Sequence, residues 1–159
     1  DRSRGLGDVY KRQEQHSSQE ERLFGIYFHA LMGAIQDILD IEYAMTQLIE
    51  QGIIDNSFRK KLEEAAKAFF EKGATIGLFD GIKKVLNERP ILLPSGKLLI
   101  PDKVMVRTQD VLVLDFKTGK KESKHEKQVQ NYKVNLEKIF NQKVIPVLYY
   151  TQTNSFIQA

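Results

Sequence analysis

Cysteine is missing from this sequence of 159 residues. Its absence excludes disulfide bonds, thiolate zinc sites, iron–sulfur clusters and a cysteine nucleophile. Long apolar runs are missing too, since none approaches the roughly 20 residues that a membrane-spanning helix needs. The chain also does not open with the charged and then apolar segment of a signal peptide. We therefore expect a soluble, cytoplasmic protein that does not bind membranes.

The composition is that of a single globular domain. Hydrophobic residues make up 42% of the chain and charged residues 28%, which is enough apolar material for one core. The formal net charge is +3, but much of the excess falls in the first thirteen residues. The remaining chain has 20 basic and 19 acidic residues. Overall charge therefore identifies no partner.

The start of the chain differs from the rest. The first thirteen residues, DRSRGLGDVYKRQ, show neither helical nor strand periodicity. They resemble the translated adapter sequence found at the ends of some reading frames, in which case the chain is a fragment of a longer protein. A disordered native tail or linker is the alternative. We predict a non-native or disordered tail over 1–17 and one domain over 18–159.

Helical spacing dominates the first half of the chain. Apolar residues recur at steps of three and four from Leu23 to Ile38, which predicts an amphipathic helix from about residue 18. Further helices are predicted over 40–51, 56–72 and about 75–86.

Strand-like runs begin after Glu88. Two of them flank a Pro-Ser-Gly turn and predict a hairpin, and a third, nearly continuous apolar run predicts a strand at the centre of the sheet. A long helix and a last strand follow. The predicted fold class is α/β, a small mixed sheet flanked by helices after an N-terminal helical segment. The predicted elements are strands 90–93, 98–106 and 111–116, helix 123–141 and strand 143–151.

Acidic side chains lie in two neighbouring strands of this predicted sheet. Asp102 lies within the second run and Asp115 near the end of the third. Because strand side chains alternate between faces, Lys117 projects to the same side as Asp115. Carboxylates that hold Mg²⁺ or Mn²⁺ let the ion lower the pKa of a bound water, and an ammonium group stabilises charge on a phosphate. The set predicts phosphodiester hydrolysis.

Four short motifs carry a resemblance to a known family. Together they resemble the RecB-type PD-(D/E)xK nuclease domain, as found at the C-terminal end of helicase–nuclease subunits of the exodeoxyribonuclease V or AddA-like kind. The similarity covers roughly residues 22–151, which would make the core restriction-endonuclease-like. The motifs are PD at 101–102, DFK at 115–117, GxxxH from Gly25 to His29 and QxxxY from Gln128 to Tyr132, while Asn87-Glu88-Arg89-Pro90 resembles the family's acid-bearing first strand.

The resemblance implies a function and a set of roles. The activity would be that of a Mg²⁺-dependent exonuclease, with Mn²⁺ as a substitute, acting mainly on single-stranded DNA during repair of double-strand breaks. A helicase motor in the same full-length chain and a second subunit would be its partners. The implied metal ligands are His29, Asp102 and Asp115, the implied catalytic residues also include Lys117 and Glu88, and the residues lining the DNA path are Gln128 and Tyr132.

Two departures from the family pattern stand beside the ligands. Pro101 takes the place of a common glycine and Phe116 that of a common tyrosine, and neither supplies a ligand. The missing cysteines exclude the branch of the family that carries an iron–sulfur cluster.

Each of these residues also has a plainer interpretation. Asp102 could be an edge or bulge residue, Lys117 a salt-bridge partner of Asp115, and His29 a satisfied boundary histidine. Any amphipathic helix places residues four apart on one face, as with Gln128 and Tyr132, and Glu88 could be an ordinary acid. We expect His125, Asp110 and Asp80 to be surface groups.

Two alternatives apply to the whole chain. The first is a catalytically inactive nuclease-like domain kept for DNA binding or scaffolding, and the second is a helical interaction module. A run over 117–138 holds seven lysines against three glutamates. It would suit a phosphate backbone, although such runs are usually solvated faces.

Overall fold

The computed structural model describes the backbone of residues 2–159 and the side chains of residues 18–159. Four helices and seven strands follow one another in the order ααα, βββββ, α, ββ. The helices are α1 (Arg2–Ala34), α2 (Ile41–Glu50), α3 (Arg59–Thr75) and α4 (Ser123–Phe140). The strands are β1 (Ile82–Asn87), β2 (Ile91–Leu92), β3 (Leu98–Leu99), β4 (Lys103–Arg107), β5 (Val111–Lys117), β6 (Val144–Tyr150) and β7 (Ser155–Gln158).

Five strands form a mixed sheet in the order β1-β4-β5-β6-β7. The pair β5 and β6 is parallel and is connected by α4, whereas the other neighbours are antiparallel. Strand β5 is central, as its continuous apolar run predicts. The expected α/β class, with a small mixed sheet flanked by helices after an N-terminal helical segment, is confirmed.

Each face of the sheet has its own core, and β5 contributes to both. Leu112, Leu114 and Phe116 pack on the side of α1 and α3, while Val111 and Val113 pack on the side of α4. By the same alternation, Asp115 and Lys117 belong to the α4 face. The chemistry-bearing side chains thus share a face with the helix that carries Gln128 and Tyr132.

Two predicted elements are wrong. The predicted helix over about 75–86 is absent: α3 ends at Thr75, turns follow, and residues 82–87 form strand β1. A bulge between Ile82 and Lys84 breaks the strand alternation there and imitates helical spacing. The predicted strand over 98–106 is split into β3 and β4, since Pro101 has no amide to continue the ladder. Asp102 therefore precedes β4 instead of lying within a strand. Strand β7 was not predicted.

Helix α1 begins at Arg2, so its backbone continues through the residues that we predict as a tail. The predicted first helix ends at Ala34, four residues earlier than the pattern suggests. The side chains of residues 1–17 lie outside the described residues, and the origin of that segment stays a prediction. Among the described residues, no helix combines the length and the apolarity needed to cross a membrane.

Candidate active site

The two predicted aspartate ligands lie side by side where β4 and β5 begin to separate. Lys103 pairs with Leu114 in the antiparallel register, so Asp102 lies opposite Asp115. Their carboxyl groups are close enough for each to shift the pKa of the other. Asp102 Oδ2 also accepts a hydrogen bond of 2.8 Å from the amide of Phe116. The fold thus brings both acids to one point at the end of the sheet.

Lys117 forms an ion pair with one of these two acids. Its Nζ lies 2.7 Å from Asp115 Oδ2 and donates a hydrogen bond of 2.8 Å to Gln128 Oε1. The Asp115 side chain is only 5% exposed and that of Lys117 19%. The ammonium group is therefore fixed between β5 and α4 instead of extending into solvent.

Both residues of the QxxxY motif belong to the same network. Gln128 Nε2 donates to the Tyr132 hydroxyl at 3.2 Å, and that hydroxyl donates to the carbonyl oxygen of Ile100 at 3.5 Å. Gln128 is oriented by Tyr132, and Lys117 by Gln128. Their predicted role in supporting a DNA-cleaving site stays a prediction.

His29 reaches the acids from the opposite face of the sheet. Its Nδ1 lies 2.9 Å from the carbonyl oxygen of Gly25, and its Nε2 lies 3.1 Å from the Phe116 carbonyl oxygen and 3.3 Å from Asp102 Oδ2. Both ring nitrogens face acceptors, so both donate and the ring is an imidazolium. The hydrogen bond to Asp102 raises the pKa of His29 to about 9.

Small residues let α1 approach this closely. Gly25, His29 and Gly33 are spaced four apart and share one face of the helix. A Cβ at Gly25 would lie 2.7 Å from Thr118 Oγ1, and one at Gly33 would lie 2.9 Å from Glu88 Oε2. Sequence reasoning used only the first half of this GxxxHxxxG pattern. The second glycine was the signal that could have placed Glu88 beside α1.

Glu88 lies next to the acid pair without joining it. It follows β1 with a positive φ of 49°, and its amide donates to the Asp102 carbonyl oxygen at 3.1 Å. Its exposed carboxylate lies against Gly33. Among the described side chains it has no hydrogen-bonding or ion-pair partner. The predicted role of Glu88 in the site stays a prediction.

The two carboxyl groups have opposite pKa shifts. Burial, together with the neighbouring charge of Asp102, raises the pKa of Asp115 to about 7. Burial also acts on Asp102, but hydrogen bonds from His29, Asp115 and the Phe116 amide outweigh it, so the pKa of Asp102 lies below its usual range. Of the two acids, Asp115 is therefore the one that takes up a proton first as the pH falls.

Two residues expected at the surface are buried. His125 is 8% exposed and Asp110 7%. His125 Nδ1 lies 2.9 Å from the Tyr150 hydroxyl, and burial, followed by the charge of Lys117, lowers its pKa. Asp110 forms an ion pair with Arg107. These expectations were wrong because a polar residue without a motif gives no sign of a partner from a distant element, whereas Asp80 is exposed as expected.

A clamp at the end of α1, formed by Lys103 and Asn87 on the Ile35 carbonyl oxygen, was also not predicted from the sequence. Lys103, 1% exposed, points away from Asp102 and donates to Asn87 Oδ1 at 2.8 Å and to the Ile35 carbonyl oxygen at 3.4 Å. Asn87 Nδ2 donates to the same carbonyl at 2.7 Å. A cation suits the C-terminal end of a helix. The clamp fixes α1 against the sheet and so holds His29 in place.

The pKa of His29 predicts how the stability of the metal-free protein depends on pH. A group whose pKa rises from 6.5 to about 9 on folding contributes stability that is complete below pH 6.5 and is lost as the pH rises through 9. We expect wild type to lose more stability than His29→Gln between pH 6 and 9.5, as measured by urea unfolding in EDTA. Lys103 titrates in both proteins, so the comparison isolates His29. Parallel pH profiles would contradict the prediction.

The donor set of the site is small. Within the described residues, no group of three or more His, Asp or Glu side chains is arranged to hold a metal ion. The contacts instead form a chain from His29 through Asp102 and Asp115 to Lys117. Two adjacent carboxylates nevertheless repel each other when both are charged, and a bound cation removes that repulsion. Mg²⁺ is commonly bound by one or two carboxylates, with water and substrate phosphates as its other ligands.

Compared with models of known protein families, the chain matches none. A search of curated proteins likewise finds no significant match. The function therefore has to be inferred from the geometry of the site.

Proposed function

We propose that this chain is a metal-dependent DNA nuclease domain of the RecB-type PD-(D/E)xK kind, which hydrolyses phosphodiester bonds. The observation that carries the proposal is the contact between the Asp102 and Asp115 carboxyl groups with Lys117 Nζ 2.7 Å away. Two acids and one ammonium group at the end of a sheet are the inventory that phosphodiester hydrolysis requires. The matching GxxxH and QxxxY residues converge on the same point.

Asp102 and Asp115 would hold the divalent ion, with His29 as the further ligand that the resemblance implies. The ion, Mg²⁺ or Mn²⁺, would supply Lewis acidity and neutralise charge on the scissile phosphate. The residues fit it because the Asp102 and Asp115 carboxyl groups lie side by side where β4 and β5 begin to separate, and the proximity of Asp102 adds to the effect of burial in raising the pKa of Asp115. His29 donates from Nε2 in the metal-free arrangement, so ligation through that atom requires loss of its proton.

Lys117 is the residue that would act on the substrate directly. Asp115 and Gln128 hold its ammonium group in place, so its positive charge is preorganised before DNA arrives. Such a charge stabilises negative charge that builds on a phosphate oxygen in the transition state. Gln128 and Tyr132 act as positioning residues, because they reach the site only through Lys117.

DNA is the proposed substrate because exposed lysines follow Lys117 in the chain. Lys120, Lys121 and Lys127 are exposed near the N-terminal end of α4, close to Lys117. They suit the phosphate backbone and read no sequence. Little sequence preference, single-stranded substrates, a helicase motor in the full-length protein and a second subunit belong to the same proposal.

The direct test is incubation of the purified chain with end-labelled linear single-stranded DNA. We expect cleavage with Mg²⁺ or Mn²⁺ and none in EDTA. Thermal unfolding with and without Mn²⁺ is measured on the same sample as a control for metal binding. No cleavage and no metal-dependent shift of the unfolding temperature would contradict the proposal.

Metal binding should weaken as the pH falls. An ion that displaces the proton shared by Asp102 and Asp115 competes with it below the Asp115 pKa of about 7. We expect the affinity for Mn²⁺ to fall by roughly tenfold per pH unit below 7, measured by calorimetry between pH 8 and 5.5. Asp115→Asn, which cannot ionise, is the control and should bind weakly at every pH. An affinity independent of pH in wild type would contradict this.

The second candidate function is a nuclease-like domain that binds DNA without cutting it. Its favouring observation is that Lys117 and His29 already neutralise Asp115 and Asp102. It predicts DNA binding that is unaffected by Mg²⁺ and no cleavage under any condition. The Mn²⁺-dependent unfolding shift separates the two candidates.

A further inference from the structure

The β2–β3 hairpin, residues 89–101, rises directly from the candidate active site. Its strands pair only with each other and not with the main sheet. The two residues that flank it are Glu88 and Asp102, joined by a backbone hydrogen bond of 3.1 Å. The Tyr132 hydroxyl also donates to the Ile100 carbonyl oxygen. The hairpin is therefore continuous with the network around Lys117.

The two faces of the hairpin differ. Leu99 is 6% exposed and packs, with the half-buried Ile91, on the core beneath α4. Leu92 and Leu98 are opposite each other in the register and point outward, 70% and 55% exposed. Ile100 shares their side and is 49% exposed. The outer face is thus apolar and uncovered.

Cations border this apolar face. Arg89 at the base and Lys97 near the tip are both exposed. Neither side chain forms an ion pair with another described residue. Apolar side chains flanked by free cations match a polyanion that also carries apolar faces. A single nucleic acid strand has this character, because its phosphates are charged and its unpaired bases are accessible.

We propose that the outer face of the hairpin holds unpaired bases of the DNA strand whose backbone enters the site. The inference rests on the proposed function and adds to it the feature that selects single strands. Leu92, Leu98 and Ile100 contact the bases, while Arg89 and Lys97 contact phosphates. In a duplex, stacking and pairing bury the faces of the bases, so the leucine side chains cannot contact them.

The geometry also sets where the contact falls. Leu92 lies four residues after Glu88 and Leu98 four residues before Asp102, and at about 3.3 Å per residue this is at most roughly 13 Å. With about 3.4 Å per stacked nucleotide, the bases held are within roughly four nucleotides of the reacting phosphate.

The test uses the full chain in EDTA, so that no strand is cut, and fluorescence anisotropy with two labelled probes. One probe is a thymidine 20-mer and the other is an abasic strand of the same length. Wild type should bind the abasic strand at least about tenfold more weakly, because that strand leaves the two leucine side chains uncovered. Leu92→Ser/Leu98→Ser keeps only Ile100 of the three apolar contacts, so it should lose most of the difference between the two probes and bind the thymidine strand close to the abasic level.

Leu39→Ser is the matched control, since Leu39 is 87% exposed and lies between α1 and α2. It should bind both probes as wild type does. All the replaced side chains are exposed, so thermal unfolding should be unchanged in both variants. Cleavage of the thymidine strand by wild type in Mg²⁺ is measured in parallel.

Three results would overturn the inference. If the double variant keeps the preference for bases while wild type cuts DNA, the hairpin does not hold them, and the proposed nuclease function stands. If wild type neither binds nor cuts DNA, both proposals fall. If sedimentation shows a dimer that the double variant converts to a monomer, the face is an interface between copies of this chain.

Discussion

Asp115→Ala is expected to lower Mg²⁺-dependent DNA cleavage by at least about a thousandfold. The substitution removes one of the two carboxylates that would hold the ion and also an ion-pair partner of Lys117. The fold should survive, because the raised pKa of Asp115 shows that its charged form is unfavourable in the folded protein. Cleavage rates on single-stranded DNA and thermal unfolding measure the two effects separately.

Asp80→Ala is the matched control for this experiment. Asp80 is an exposed acid in the turn before β1, and its loss should leave cleavage unchanged. Retained Mg²⁺-dependent cleavage in Asp115→Ala would remove the chemical basis of the proposed mechanism. Unfolding of that variant would instead show that the acid pair is structural.

Arg107→Ala should cause the largest loss of stability. The guanidinium donates to both carboxylate oxygens of Asp110, at 2.7 and 2.8 Å, and to the carbonyl oxygens of Gly77 and Leu78. It fixes the β4–β5 turn to the loop before β1. Removing one member of a buried ion pair costs about 3–5 kcal/mol. For a chain of this size the unfolding temperature should fall by roughly 6–20 °C.

Lys124→Ala provides the contrast. Lys124 pairs with Glu122 at 3.0 Å, but the two side chains are 76% and 52% exposed. Ion pairs between exposed side chains contribute little to stability, because water and salt screen them, so this variant should unfold almost as wild type does. A similar small loss for Arg107→Ala would mean that the buried pair contributes little to stability.

Much of the sheet could be predicted because its central residues carry a strong pattern. The run Val111 to Leu114 has no polar residue, so both faces of the strand have to be buried. This identifies β5 as the central strand. Helix α4 follows from its regular apolar spacing. Strand β1 could not be recognised in this way. It is an edge strand whose bulge gives Ile82, Val85 and Leu86 the spacing of a helix.

The candidate site was predictable where residues are close in sequence or in register. Asp115 and Lys117 share a face by alternation, and Gln128 and Tyr132 by helical spacing. The burial of Lys103 was not predictable. One of its partners is a carbonyl oxygen at residue 35, sixty-eight positions away. Every residue has such a carbonyl, so the residue types do not show which one accepts a hydrogen bond. The same holds for His29, whose partners include the Phe116 carbonyl oxygen, eighty-seven positions away.

The turn at the tip of the hairpin, between β2 and β3, is a place where the chain can change in length. The turn is closed by two backbone hydrogen bonds, from the Leu93 amide to the Lys97 carbonyl oxygen and from the Gly96 amide to the Leu93 carbonyl oxygen. Gly96 has a φ of 86° with open space around it. Added residues there would cost little, because the free energy of closing a loop grows slowly with its length. Relatives of this chain could therefore differ in reach at this point while the register of their central strands stays the same.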